Sequence, residues 1–357
     1  MSFATPSHLF IIMDVLMKNI DFLNKNLFEA VKNNYPIGLA YGKMGLIIYL
    51  YSLYQYTQDV GYKEYAERLL DILLEKELFR DTILTFEDGL CGISFGLEYL
   101  IQKSYIDGDI NKLSKEIDGL LYYQVSFDNI DKCYDLSELS YLLCYINHRI
   151  DSIHDIEELF IMKKLSMKVI NKVDTLLDSS FFLEPCSFSL FSYCLPVLLH
   201  SVIGLLKKDI CNIRIMKVLE HISFYLFSHQ PNIHLNRLYL FCSILPARNI
   251  SLEWNSYVEN MKKNIDIDRI LHFEIKNRNI YISNGFPFLY ILLEYLKMYF
   301  PEYAFKYNPQ DIYHRIIFSE AWEELKNKSY YFQIHKGLLN GFPGSILTLF
   351  DIKKKYL

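Results

Sequence analysis

Two kinds of apolar segment alternate along the chain. In the first kind, apolar residues recur at i, i+3, i+4 and i+7 with lysine and glutamate opposite, which is typical of a helix that covers a core on one stripe. Tyr65, Leu69 and Leu73 share such a stripe, whereas Lys63 and Glu67 lie off it. The amphipathic segments are 14–33, 62–78, 111–124, 156–177, 209–228, 251–265 and 310–325.

The second kind of segment is apolar on most faces and follows a glycine-rich loop. GLAYGKMG at 38–45, GLCGISFG at 89–96 and GLLNGFPG at 337–344 each run into such a segment, as does SNGFP at 283–287. Gly38 and Gly89 are 51 residues apart, Gly285 and Gly337 are 52 apart, and the 196 residues between Gly89 and Gly285 equal four steps of 49. Three weaker copies are therefore expected near 137, 187 and 236, and the apolar segments 134–149, 186–206 and 234–245 match these positions.

Helices that are apolar all round must be covered on all sides, whereas amphipathic helices cover a core and face water. Two concentric rings satisfy both conditions, with apolar helices inside and amphipathic helices outside. The full glycine pattern at both ends of the chain favours a closed ring over an open solenoid, whose terminal repeats are usually polar caps. We predict an all-α (α/α)7 toroid of seven hairpins as a single domain, 1–357. The one strand-like stretch, 272–282, is a candidate β-hairpin.

Composition narrows the functional classes. Hydrophobic residues make up 51% of 357 residues, which excludes intrinsic disorder. The net charge of −5 provides no basic stripe for phosphate backbones, so no nucleic-acid partner is expected. Seven cysteines without a CxxC pair are typical of a reducing, cytoplasmic setting with free thiols. No basic residue precedes the first apolar stretch, so a signal peptide is not predicted. The uncharged stretch 185–206 is interpreted as a buried helix rather than a membrane span.

The glycine motif before an inner helix, repeated seven times at about fifty residues, resembles the lanthionine synthetase C-like (LanC-like) family. The resemblance covers about 30–355 and implies an (α/α)7 toroid that acts on ribosomal peptides containing dehydrated residues. Cyclases of that family add a cysteine thiol across the double bond to form a thioether ring. The resemblance further implies a zinc ion held by two cysteines and a histidine. The chemistry of that family needs the zinc because a free thiol titrates at ~8.5 and metal binding makes it a thiolate at neutral pH.

The zinc ligands of that family are replaced at the matching positions of this sequence. The Cys-His-Gly of the sixth copy corresponds here to Ser283-Asn284-Gly285, and serine and asparagine bind zinc poorly. The fifth copy retains Cys242 with Arg237 five residues before it, one residue off the family register and without the tyrosine that follows. One cysteine does not make a zinc site, so we expect no metal and no other cofactor.

Of two further positions in the family pattern, one is lost in this sequence and the other is retained. The histidine of the fourth copy corresponds to Leu190 or Phe191, so it is lost, whereas the aspartate of the third copy is matched by Asp135. Asp135 and Arg237 are therefore the candidate catalytic residues. For Asp135 the pattern favours a helix N-cap over a residual acid or orienting group, and Arg237 is consistent with either a peptide clamp or a surface salt bridge.

Other chemistry-bearing residues allow alternatives. His234 and His335 precede the fifth and seventh inner helices, and with Cys242 or Glu87 they form a possible alternative metal site. The neighbouring carboxylates Glu87 and Asp88, together with Glu184, are what a glycosidase with an α/α toroid would use. The other buried-type cysteines, Cys91, Cys144 and Cys194, are interpreted as core thiols.

These observations favour a zinc-free, LanC-like accessory protein that binds peptides or peptide-maturation enzymes. The aromatic content of 16% is consistent with a concave aromatic bowl, although core packing explains it too. Whether the chain is an enzyme stays open at this point. The alternatives are a peptide-modifying cyclase with a non-standard site and an unrelated toroid enzyme of the glycosidase type.

Overall fold

The computed structural model describes residues 6–31, 35–77, 85–127, 134–327 and 329–356. These residues form helices joined by loops. In chain order the helices are α1 (Pro6–Val31), α2 (Lys43–Thr57), α3 (Val60–Ile72), α4 (Leu90–Gln102), α5 (Ile110–Phe127), α6 (Leu136–Ser152), α7 (Ile156–Leu176), α8 (Leu195–Lys207), α9 (Asn212–Leu226), α10 (His234–Ile244), α11 (Leu252–Lys263), α12 (Phe286–Tyr299), α13 (Pro309–Ile317), α14 (Glu320–Asn327), α15 (Ser329–Ile334) and α16 (Phe342–Tyr356).

Seven of these helices form a closed inner ring, which confirms the predicted toroid. Helices α2, α4, α6, α8, α10, α12 and α16 each pack against the next member of the series, and α16 packs against α2. From α2 to α12, each inner helix also packs against the helix that follows it in the chain, and that following helix belongs to the outer ring. The fold is therefore all-helical with two concentric layers.

Burial separates the two layers as the hydrophobic pattern predicts. Every residue of α2 from Lys43 to Leu53 is buried, so this helix is covered on all faces. In α3, by contrast, only Ala66, Leu69 and Leu70 are buried, on one stripe. Six of the seven predicted outer segments agree with the structure, and 310–325 is the exception. Residues 32–33 and 78 of these segments lie outside the described residues.

The glycines lie where a loop crosses the first turn of an inner helix. A Cβ atom on Gly45 would lie 2.2 Å from the carbonyl oxygen of Leu39, and one on Gly92 would lie 2.0 Å from that of Phe86. No side chain fits at such distances, so the close approach requires glycine. The structure also corrects the register of the repeats, because Gly42 and Gly89 are the residues that directly precede α2 and α4.

The fourth copy departs most from the predicted repeat. The segment 186–206 is expected to be one apolar helix, but α8 begins only at Leu195, and Pro196 occupies its first turn. Proline suits this position because it has no N–H to leave unbonded. Residues 186–194 form a loop instead, described below as the crossing loop.

Two smaller predictions are wrong. The candidate β-hairpin at 272–282 contains no strand; a π-helical turn, Ile270–Glu274, begins there and its buried Ile270 and Leu271 join the core. The segment 310–325 is two helices rather than one. The break comes at Ser319, whose hydroxyl accepts a hydrogen bond from the Trp322 N–H at 3.0 Å and so starts α14.

Within the described part of the chain, no helix combines the length and the apolar character that a bilayer crossing requires.

One buried ion pair joins the two layers. Arg149 of α6 is 1% exposed, and its Nε lies 2.9 Å from Asp118 of α5. Asp118 also accepts a 2.7 Å hydrogen bond from Tyr145, and Asn111 accepts one of 2.8 Å from Arg149. The Asp118 carboxylate of the outer layer is thus paired with Arg149 and Tyr145 of the inner layer.

Replacing Arg149 by methionine is expected to lower the free energy of unfolding by about 3 kcal/mol, because Asp118 is left buried without its partner. Urea denaturation measures this change. The control Lys217→Met removes an exposed pair with Asp174 and is expected to cost less than about 1 kcal/mol. Equal losses in the two variants would contradict the buried-pair interpretation.

Candidate functional site

The loops that precede the inner helices meet at one end of the ring, which we call the mouth. Their backbones form a continuous series of hydrogen bonds. The N–H of Ala40 donates to Glu87 (2.8 Å) and that of Leu339 donates to Ala40 (3.2 Å). The N–H of Ser283 donates to Leu339 (2.7 Å), and that of Leu190 donates to Ser283 (2.8 Å). Loops from the second, first, seventh, sixth and fourth copies are thereby tied edge to edge.

The last member of this series shows that the crossing loop spans the mouth. Leu190 belongs to the fourth copy, yet it bonds to the sixth, so the fifth copy is bypassed. The carbonyl oxygen of Leu190 in turn accepts a 3.1 Å hydrogen bond from the Tyr141 hydroxyl of α6. The crossing loop is therefore held at both sides of the ring.

Two phenylalanines of the crossing loop fill the centre of the mouth. The ring of Phe188 stacks on Phe288 of α12 with centroids 5.0 Å apart and meets Tyr239 of α10 edge-on at 6.2 Å. Phe191 lies 5.8 Å from Tyr41. Aromatic side chains from the first, fifth and sixth copies thus surround Phe188 and Phe191, which belong to the fourth copy.

Of the positions expected for zinc ligands, Ser283 serves the backbone and Cys242 the core, while the buried Oδ1 of Asn284 has no hydrogen-bond partner in the part of the chain that the structure describes. Ser283 is 9% exposed, and its N–H and carbonyl both belong to the hydrogen-bond series. Cys242 is buried in α10, and burial raises the pKa of its thiol far above the usual value. No three histidine, cysteine, aspartate or glutamate side chains among the described residues lie close enough together to hold a metal ion. The donor set therefore does not fit the family's zinc.

Asp135 lies at the start of α6. Its carboxylate accepts a 2.8 Å hydrogen bond from the Glu138 N–H, and the Glu138 carboxylate accepts one of 3.0 Å from the Asp135 N–H. This reciprocal arrangement is a capping box, which stabilises a helix N-terminus. The side chain also borders a cavity at the mouth, so both interpretations of Asp135 remain consistent with its position.

Arg237 joins two loops. Its Nε and Nη2 donate to the carbonyl of Pro231 at 3.0 and 2.6 Å, and its Nη1 donates to the carbonyl of Asn264. These bonds fix the loop before α10 to the end of α11. The arginine does not lie with Asp135 on the walls of either mouth cavity described below.

The candidate ligands His234 and His335 both form hydrogen bonds with backbone groups. Nδ1 of His234 accepts a 3.0 Å hydrogen bond from the Asp266 N–H, and Nδ1 of His335 lies 3.0 Å from the carbonyl of Asn340. The His335 ring stacks on Tyr281 at 4.4 Å. Burial lowers the pKa of both imidazoles.

Carboxylates from two other segments cap α10. Glu184, just before the crossing loop, accepts hydrogen bonds from the N–H groups of Asn232 (2.6 Å) and Ile233 (2.8 Å). Glu274 accepts from His234 (2.8 Å) and Leu235 (3.0 Å). The first turn of α10 has no side-chain cap of its own, so these negative charges satisfy its free N–H groups and its dipole.

A cavity of about 260 Å³ lies between the starts of α4 and α6. Glu87 and Asp88 form one wall, and Ser137, Glu138 and Tyr141 form the other. Burial, reinforced by the Asp88 charge, raises the pKa of Glu87 to about 7, and burial raises that of Asp88. A carboxyl group with such a pKa is suited to exchange protons near neutral pH.

A second cavity of about 550 Å³ adjoins the first, since both include Tyr134 and Ser137. We call it the rim groove; its walls are Tyr134–Ser137, Leu176, Asp178, Ser180, Phe181, Leu183 and residues 191–194. In it the Ser137 hydroxyl lies 2.9 Å from the Cys194 thiol. Sequence reasoning missed this pair, and the available signal was the shift of the fourth copy, whose helix starts at residue 195 rather than near 187.

No protein-family model matches the sequence, and no curated protein matches it. A solved structure titled nisin cyclase aligns with 95% of this chain and 94% of its own, with a TM-score of 0.60 and 14% sequence identity. The chain shares the fold of nisin cyclase. At this identity the likeness to nisin cyclase concerns the fold alone.

Replacing Asp135 by alanine is expected to lower the free energy of unfolding by about 1 kcal/mol, because the capping box is lost. Asp135→Asn retains an acceptor and is expected to unfold nearly like the wild type in thermal denaturation. A loss in Asp135→Asn as large as in the alanine variant would show that the charge, and not the cap, matters at this position.

Glu87→Gln is expected to stabilise the protein at pH 8 by about 1 kcal/mol and to change little at pH 5. The pKa of Glu87 in the folded state, about 7, exceeds its ordinary value of 4.5, so its stabilising contribution is complete below pH 4.5 and is lost as the pH rises through 7. Urea denaturation at both pH values measures the difference. Glu64→Gln, on the exposed face of α3, is the control, and an identical pH profile in both variants would contradict the prediction.

Proposed function

We propose that this protein is a zinc-free, LanC-like peptide-binding protein that acts beside the enzymes of ribosomal peptide maturation. The observation that supports the proposal is that the mouth of the ring is filled by the protein's own side chains. A toroid with the fold of nisin cyclase has its mouth filled by its own crossing loop, at the end of the ring where the expected zinc ligands are replaced.

The rim groove is the surface we assign to the peptide. Leu183 is 72% exposed at its edge, and the half-buried rings of Phe181 and Phe191 provide an apolar floor. Peptide side chains bind in clefts of this kind, where apolar walls supply affinity and a few polar groups fix orientation. Here Ser137 and Asp135 are among the polar groups.

The same cavities favour a second candidate, a peptide-modifying enzyme with a non-standard site. Glu87, with its pKa of about 7, borders the cavity that adjoins the Ser137–Cys194 pair. In such an enzyme Glu87 would exchange a proton with the peptide. A glycosidase-type enzyme would require the same carboxylates, but the likeness to nisin cyclase supports a peptide more than a sugar.

The test is a titration with fluorescently labelled synthetic peptides that correspond to short precursor peptides encoded beside the gene. We expect micromolar dissociation constants and no stoichiometric zinc in protein purified without chelators. Leu183→Asp is expected to weaken binding at least fivefold, because it places a charge on the apolar edge of the groove. Leu252→Asp, at an equally exposed leucine of α11, is the control and should bind as the wild type does.

Three outcomes would overturn the proposal. Absence of binding at high micromolar peptide would remove the peptide partner. Stoichiometric zinc would contradict the interpretation of Ser283 and Asn284. Thioether formation that Glu87→Gln abolishes would favour the enzyme over the accessory protein.

A further inference from the structure

A further cavity lies inside the ring rather than at the mouth. This axial cavity has a volume of about 870 Å³, within the range of sites that bind small organic ligands. It follows the inner helices from Ile48 to Tyr56 on α2 and from Gly344 to Lys354 on α16. At 1.5 Å per residue, the second stretch is about 15 Å long. The cavity is therefore an elongated slot.

Three polar side chains on the wall of the axial cavity already have hydrogen-bond partners within the protein. The hydroxyl of Ser52 donates to the carbonyl of Ile48 in its own helix (2.8 Å), and that of Thr348 donates to Gly344 (2.9 Å). The Tyr290 hydroxyl donates to Asp351 at 2.6 Å. The remaining walls are aliphatic and aromatic side chains such as Leu39, Phe95, Ile282, Ile291 and Leu347. An apolar ligand body is what this surface accommodates.

The two ends of the axial cavity differ. At the mouth side it ends against Leu39 and Leu338, which are buried, in loops that the backbone hydrogen-bond series holds together. At the opposite side it ends among Gln55, Lys103 and Lys354, which are exposed. Access is therefore from the C-terminal ends of the inner helices, away from the rim groove.

The open end carries unmatched positive charge. Among the described residues, neither Lys103 nor Lys354 forms an ion pair; their ammonium groups lie 5.8 Å and 6.0 Å from the ring centres of Tyr99 and Tyr56. The one carboxylate on the cavity wall, Asp351, is matched by Lys355 at 2.7 Å. Lysines in the last turn of a helix also favour its dipole, but that role does not require them to border an apolar cavity.

We propose that the axial cavity binds a single-chain amphiphile with an anionic head group, such as a fatty acid. The acyl chain lies along the slot between α2, α4, α12 and α16, and the carboxylate lies between Lys103 and Lys354. This site is independent of the rim groove, so it stands whether or not the protein binds peptides.

The test compares dodecanoate, dodecanol and dodecylamine by isothermal titration calorimetry with the full chain. We expect dodecanoate to bind at one site per chain, dodecanol more weakly and dodecylamine weakest. Leu347→Trp fills the slot and is expected to abolish binding, with an unchanged circular dichroism spectrum as the check on folding. Lys354→Glu is expected to weaken dodecanoate about fivefold. Lys353→Glu, on the neighbouring residue outside the cavity wall, is the matched control.

Each contrary result overturns the assignment. Absence of dodecanoate binding excludes the site, and equal affinity for the acid and the alcohol removes the role of the lysines. Binding that persists in Leu347→Trp would locate the ligand elsewhere. Equal effects of Lys353→Glu and Lys354→Glu would indicate a general surface attraction. Peptide titrations do not enter this comparison, so failure of either proposal leaves the other intact.

Discussion

The hydrogen bonds between the mouth loops are the interaction on which the rest of this structure depends. An inner ring of helices that are apolar on every face is stable only when it closes, and closure requires the loops at one end to fit edge to edge. Backbone groups in these loops have no helical partners, so they must find one another. The glycines at 45 and 92 allow that approach, and the ring below the loops then closes around the axial cavity.

The hydrophobic pattern was sufficient to predict two concentric layers. A helix buried on all faces is apolar at nearly every position, whereas a helix buried on one stripe is apolar only at i, i+3, i+4 and i+7. It also located the starts of α2, α4 and α12, where glycine marks the close approach. The pattern failed at 186–206, since an uncharged run rich in serine and phenylalanine is compatible with either a buried helix or a loop. Only the ring geometry decides between them, because the residues that cover Phe188 and bond Leu190 come from distant copies.

At the candidate site, the sequence indicates the identity of single positions better than it indicates which residues come together. Replacement of the Cys-His pair by Ser283 and Asn284 is visible in the sequence once the repeats are aligned. The adjacency of Ser137 and Cys194 is not, because it depends on how far the crossing loop reaches before α8 begins. Arg237, a candidate for either a peptide clamp or a surface salt bridge, donates to neighbouring carbonyls, and no local sequence signal specifies those partners.

The capping of α10 has a consequence for how the chain assembles. Its first turn receives carboxylates from Glu184, about fifty residues upstream, and from Glu274, about forty residues downstream. The fifth hairpin therefore lacks the local interactions that would let it form alone, and a fragment containing only that hairpin has an unsatisfied helix terminus. In a solenoid, folding can begin at any repeat and spread to its neighbours. In this ring, the segments that contain Glu184 and Glu274 must first come together with α10 before the N-terminus of α10 is capped.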